Sequence, residues 1–184
     1  MHLPATLPWR RRWNRIVECR WRIAVLTMLG AALLATVFVA PRPQLVWNAS
    51  ASSPIGLYAV SIPTRVTAGD MVVAWLPPSM RRLAAERRYL PGNVPVIKTV
   101  AAITGDRVCA IGDVILVNRR PVGRRQHADP IGRPLPRWTG CRRLGDGDLL
   151  LLSVRSPLSF DGRYVGVTRA EFVVGRARLL WRRS

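Results

Sequence analysis

Lys98 lies in the run Val94-Pro95-Val96-Ile97-Lys98-Thr99-Val100-Ala101-Ala102-Ile103, which is apolar on both sides of its amine. Read as a strand, this run puts Val96, Val100 and Ala102 on the lysine's face and Ile97, Ala101 and Ile103 on the other. An ammonium is costly to bury, so desolvation there lowers its pKa. An amine near ~10.4 is less than ~0.1% neutral at pH 7, whereas a drop of roughly three units leaves about a quarter to a third neutral. Such an amine is a competent general base. A guanidinium is not, because it stays protonated in proteins. The alternative is an edge-strand lysine whose head reaches water along its own stem.

Upstream, Asn48-Ala49-Ser50-Ala51-Ser52-Ser53-Pro54-Ile55-Gly56-Leu57-Tyr58 sets a cluster of hydroxyls ahead of Pro and Gly. Pro and Gly favour a rigid turn that can expose a serine. A plain Ser-rich loop fits the same residues. A Ser–Lys pair is, however, an alternative to the Ser–His–Asp triad. Histidine offers little here, since His2 lies near the chain start and His127 falls in an Arg-rich stretch.

These residues need elements to hold them. Runs of Val, Ile and Leu at 71–75, 96–103, 114–117, 149–154 and 172–180 read as strands, separated by Gly, Pro, Asn and Asp clusters. Residues 79–89 read as a helix with Ser79 as its N-cap. Residues 119–143 form an Arg/Pro/Gly-rich excursion, expected as a long loop or irregular hairpin. The fold class expected is mainly β: a single N-terminal transmembrane helix followed by an antiparallel β-sheet domain.

The expected anchor covers residues 23–40, almost wholly apolar, and eighteen helical residues span roughly 27 Å. Arg10, Arg11, Arg12, Arg15, Arg20 and Arg22 precede it. They hold the basic segment 1–22 in the cytoplasm, so residues 41–184 are expected to face the periplasm or cell exterior. Phe38-Val39-Ala40-Pro41 argues against cleavage at the end of the span. On the exported side Cys109 and Cys141 are free to oxidise. A bond between them closes a loop of about 33 residues and stabilises by roughly 3–4 kcal/mol on a chain-entropy model. Two free buried thiols are the alternative, and Cys19, before the span, stays reduced.

Charge suggests another class of function. Lys+Arg is 29 against 10 Asp+Glu, a formal +19, and every basic residue but Lys98 is Arg. Nucleic acid and anionic lipid both attract such a surface. A basic membrane-anchored scaffold that binds DNA or secretion-channel parts is therefore the rival reading. Against nucleic acid, the arginines are scattered, no basic helix gathers them, and few aromatics interleave them. Trp9, Trp13, Trp21 and Trp47 flank the expected span and read as interface anchors. An anionic membrane surface is the partner favoured. No CxxC pair or His cluster suggests a metal, and no GxxxxGK[ST] or GxGxxG suggests a nucleotide, so no cofactor is expected.

The motifs together resemble a family. NASASSPIGLY is similar to the serine box of bacterial type I signal (leader) peptidases, especially the conjugative-transfer branch with its S-x-P-x-G-L-Y pattern. AGDMVVAW (68–75) resembles the following G-D-x-V-V strand, and VIKTVAAITGDRV (96–108) the lysine box. LSFDGRYVG (158–166) resembles the S-x-D-S-R box, and GRARLLW (175–181) the closing strand. Order and spacing agree over roughly residues 20–184.

The resemblance implies a serine endopeptidase that processes exported precursors, signal peptides or pilin subunits, with small residues before the cut. It implies Ser52 as nucleophile, with Ser53 the competitor, and Lys98 as general base. Ser50 corresponds to a side-chain oxyanion donor, Ser159 to the hydroxyl that orients the lysine, and Asp161 with Arg163 to a supporting ion pair. Gly162 departs from the pattern, which usually has Ser there. A housekeeping signal peptidase is the nearest alternative within the family, and cyclisation of a pilin is open.

Overall fold

The computed structural model describes residues 8–38, 43–63 and 65–183. The chain divides into two compact units, residues 1–42 and 43–184. In the first, α1 (Pro8–Phe38) is one continuous helix. It begins well before the expected anchor and takes in the arginine-rich segment. Thr27 donates its hydroxyl to the Ile23 and Ala24 carbonyls, which satisfies a polar group inside the apolar stretch. Among the described residues no helix is long and apolar enough to cross a membrane. The charge-free part of α1 that is described, 23–38, is shorter than the expected span, and positions 39 and 40 lie outside the described residues. The anchor over 23–40 is therefore not carried by the structure.

The second unit is mainly β, as expected, and is built from two antiparallel sheets. The larger contains β1 (Leu45–Asn48), β2 (Gly56–Ser61), β3 (Met71–Ala74), β4 (Val96–Ala102), β9 (Asp148–Leu152), β10 (Val167–Arg169) and β11 (Val173–Arg182). Its order is β1-β2-β11-β3-β4-β9-β10, so the last strand inserts between β2 and β3. The smaller contains β5 (Arg107–Ile111), β6 (Val114–Val117), β7 (Arg120–Arg124) and β8 (Gly140–Arg143), ordered β7-β6-β5-β8.

The apolar runs find their places as strands because each buries at least one face. Val72, Val100, Leu149 and Leu151 pack on one side of the large sheet, and Tyr58, Val73, Ile97 and Ala177 on the other. Val108, Ala110, Ile115 and Val117 of the small sheet pack with Leu150 and Leu152 of the large one. The alternation expected in β4 fails at one point. Pairing with β9 shifts between Val100 and Ala102, so Ala101 is an extra residue. Ala102 then joins the cluster around Ile115 instead of the one around Val100.

Two other expectations are corrected. Helix α2 (Pro78–Glu86) starts one residue before Ser79, with Pro at its first position and no side-chain cap, and ends before Tyr89. The excursion at 119–143 is neither plain loop nor simple hairpin, because its ends form β7 and β8 on opposite edges of the small sheet. Arg125, buried, holds its interior by donating to the Gly112 and Trp138 carbonyls. Cys109 and Cys141 sit opposite each other on β5 and β8 and are disulfide-bonded, tying one end of the excursion down.

Candidate active site

The turn between β1 and β2 carries the serines, and Asn48 shapes it. Its Nδ2 donates to the carbonyls of Ser50, Ser53 and Pro54 at 2.9, 3.1 and 3.0 Å. Its Oδ1 accepts from the Ser50 backbone N–H and hydroxyl. Tyr58 donates its hydroxyl to the Pro54 carbonyl at 2.7 Å and pins the exit of the turn. A short amide side chain thus does the work of several backbone bonds, as Asx turns do.

That turn points two neighbouring hydroxyls in different directions. Ser53 is buried and donates to the Ile97 carbonyl at 3.1 Å. Ser52 faces Lys98, whose Nζ lies 3.2 Å from its Oγ. The structure therefore brings Ser52, not Ser53, to the lysine. Ser50 Oγ lies 3.0 Å from Ser52 Oγ, on the open side of the turn.

Lys98 projects from the middle of β4 and is only 4% exposed. Its other two partners are also hydroxyls, Ser153 at 2.9 Å and Ser159 at 2.8 Å. Burial pulls its pKa down from the usual 10.5 to about 8; Asp161 pulls it back up in part, and Arg163 works against Asp161. About a tenth of the amine is therefore neutral at pH 7 and about half at pH 8.

Behind the lysine stands a fully bonded ion pair. Arg163 meets Asp161 through two parallel bonds of 2.9 and 2.7 Å and also donates to the carbonyls of Pro157 and Ser156. Asp161 caps α3 (Gly162–Val165) and accepts from the Ser153 backbone N–H at 2.8 Å. Gly162 answers to space. A Cβ there would meet the Leu151 carbonyl oxygen at 2.7 Å and Leu150 Cδ1 at 2.8 Å. Serine has no room where α3 runs this close to β9.

Two of these residues were not singled out in the sequence. Asn48 was visible only as part of the serine box. Ser153 directly follows β9 inside the apolar run 149–154, and being the one hydroxyl of that run was the available signal. The site opens into a cleft of about 670 Å³ whose lining is mostly apolar, including Val46, Leu76, Val94, Ile97, Leu135 and Phe160. Among the described residues no cluster of His, Cys, Asp and Glu could hold a metal ion.

Comparison with known proteins places the chain in a family. Residues 18–182 match the family described as signal peptidase, peptidase S26, and the chain belongs to that family. It is 36% identical over 171 residues to a plasmid transfer protein TraF of Escherichia coli, covering 86% of this chain and 91% of that one. A second Escherichia coli plasmid transfer protein TraF is 35% identical, covering 77% and 84%. A probable conjugal transfer protein TraF of Sinorhizobium fredii is 33% identical, covering 71% and 73%. Among solved structures, a signal peptidase I of Enterococcus faecalis overlays with a TM-score of 0.37 at 15% identity, covering 63% of this chain and 98% of that one.

Proposed function

We propose that the chain is a serine endopeptidase in which Ser52 is the nucleophile and Lys98 the general base. One observation carries the reading: a buried amine with a pKa of about 8 sits 3.2 Å from the Ser52 hydroxyl. Neutral Lys98 takes the Ser52 proton as Oγ attacks the scissile carbonyl. The Ser52 backbone N–H and the Ser50 hydroxyl, swung from Asn48, stabilise the oxyanion. Collapse breaks the C–N bond, and the Lys98 ammonium gives its proton to the leaving amine. Lys98 next takes a proton from water, whose oxygen attacks the acyl-enzyme, and that proton returns to Ser52 Oγ. An incoming amine in place of water would join two peptide ends by the same route.

The substrate is an exported precursor, a signal peptide or pilin-type subunit with small residues before the cut, laid in the apolar cleft. The plasmid-transfer names of the relatives support a role in conjugative transfer or type IV secretion. The place of action is the periplasmic face of a bacterial inner membrane, with the N-terminal segment as anchor and the arginine-rich surface against anionic lipid. Ser52→Ala and Lys98→Ala each abolish processing of a co-expressed pilin-type precursor while the chain stays folded. Normal processing by either variant overturns the reading.

A further inference from the structure

We propose that Ser153 is a positioning residue for Lys98: with Ser159 it holds both N–H bonds of the neutral amine, so that the lone pair faces Ser52. This rests on the Ser–Lys reading above and adds to it a residue outside the motifs.

A neutral amine has two N–H bonds and one lone pair in fixed tetrahedral directions, and Lys98 Nζ has three oxygen neighbours. To act as a base toward Ser52, it must spend both N–H bonds on the other two. Ser153 is constrained to receive one of them. Its only hydroxyl hydrogen goes to Ser159 Oγ at 2.9 Å, so toward Nζ it can only accept. Ser159 already accepts that bond and the second N–H. Both serines are buried, nearly as deeply as the lysine, so these bonds are largely shielded from solvent.

Ser153 is itself held from behind. Its backbone N–H donates to Asp161 Oδ2, the carboxylate that grips Arg163. It follows Leu152, which pairs with Thr99, next to Lys98 on the neighbouring strand. The Asp161–Arg163 pair thus reaches the lysine through Ser153 and need not touch it. A merely structural serine would satisfy its own hydrogen and stop there. This one also presents its lone pairs to the one amine in the site.

The single lysine of the chain makes the test direct, because ¹⁵N-lysine labelling gives one Nζ signal. The full-length protein in detergent micelles, wild type, Ser153→Ala and Ser153→Gly, is titrated by ¹⁵N NMR and assayed on a precursor peptide. Glycine keeps the backbone N–H to Asp161 and serves if alanine disturbs the fold. Loss of an acceptor for the ammonium lowers the Nζ pKa. Loss of the lone pair's aim lowers kcat roughly tenfold or more, with KM within about twofold. Unchanged kcat, a rise in KM alone, or a fall in kcat with an unmoved Nζ titration overturns the proposal. Ser52→Ala, run alongside, separates the two ideas. If it still cleaves, the Ser–Lys reading fails, whereas the Nζ titration reports on Ser153 either way.

Discussion

Lys98 and Arg163 are both 4% exposed, and Asp161 lies behind both, yet their surroundings differ in kind. Arg163 has a bidentate carboxylate and two carbonyls, an arrangement that fits a permanent charge. Lys98 has three neutral hydroxyls, which accept from an ammonium but do not offset the cost of burying it. The guanidinium is held as an ion, and the amine is left free to lose its proton. The lesson is that burial lowers the pKa of this amine because its contacts are neutral and the nearest carboxylate offsets the cost only in part.

Experiments can break this contrast, and the largest effect should come from exchanging the two cations. Lys98→Arg keeps the charge but has no accessible neutral form, so precursor cleavage should fall about 10⁴-fold or more, as with Ser52→Ala. Measurable turnover by Lys98→Arg would erase the distinction. Next, Asp161→Ala leaves the Arg163 guanidinium buried without its partner. Urea unfolding should show a loss of about 3–5 kcal/mol, and a loss under ~1 kcal/mol would mean the pair is not the anchor it looks to be. Ser50→Ala removes a neutral donor and no charge. A kcat about 100-fold lower with unchanged unfolding is expected, and a change in stability alone would assign Ser50 to the turn instead.

Smaller effects test the lysine's side. Its folded pKa of about 8 lies below the 10.5 of an open chain. Between those values the unfolded chain holds more protons, so stability rises with pH; below 8 the whole cost of the buried charge is present. Lys98→Met should therefore raise stability by about 1–2 kcal/mol at pH 6, with the gain shrinking as pH climbs from 8 toward 10.5. Thermal melts at the two ends of that range decide it, and a gain independent of pH would point to packing. The gentlest test is the pH profile of kcat/KM, whose acid limb should rise through about pH 8 in the wild type. Asp161→Asn removes the charge that pulls the lysine's pKa up, so that limb should move to lower pH; movement upward would refute the electrostatic account.

Much of this was legible in the chain. The strands at 71–74, 96–102 and 114–117 lie inside the apolar runs that announce them, because a strand buried on a face shows its burial in composition. The apolar runs do not announce β1, β2, β5, β7, β8 and β10, and β7 and β8 are so exposed that they carry no apolar period. The Ala101 bulge was invisible too, since it arises from pairing with β9 and not from β4 itself. The reason Gly162 departs from its motif is not local either: the backbone of Leu151 leaves no room for a side chain there.

By itself the sequence determined that one lysine would stand in an apolar strand and that serines would cluster on a Pro/Gly turn. Both follow from covalent neighbours, which set local conformation and the sidedness of a strand. Only the tertiary structure decided which hydroxyl the amine meets. Ser52 and Ser53 are adjacent in the chain, but Asn48 turns one toward Nζ and leaves the other bonded to Ile97. Ser153 and Ser159 reach the same nitrogen from 55 and 61 positions away. A proton is placed by contacts of about 3 Å, and a distance that short between remote segments exists only once the sheet has brought β9 beside β4.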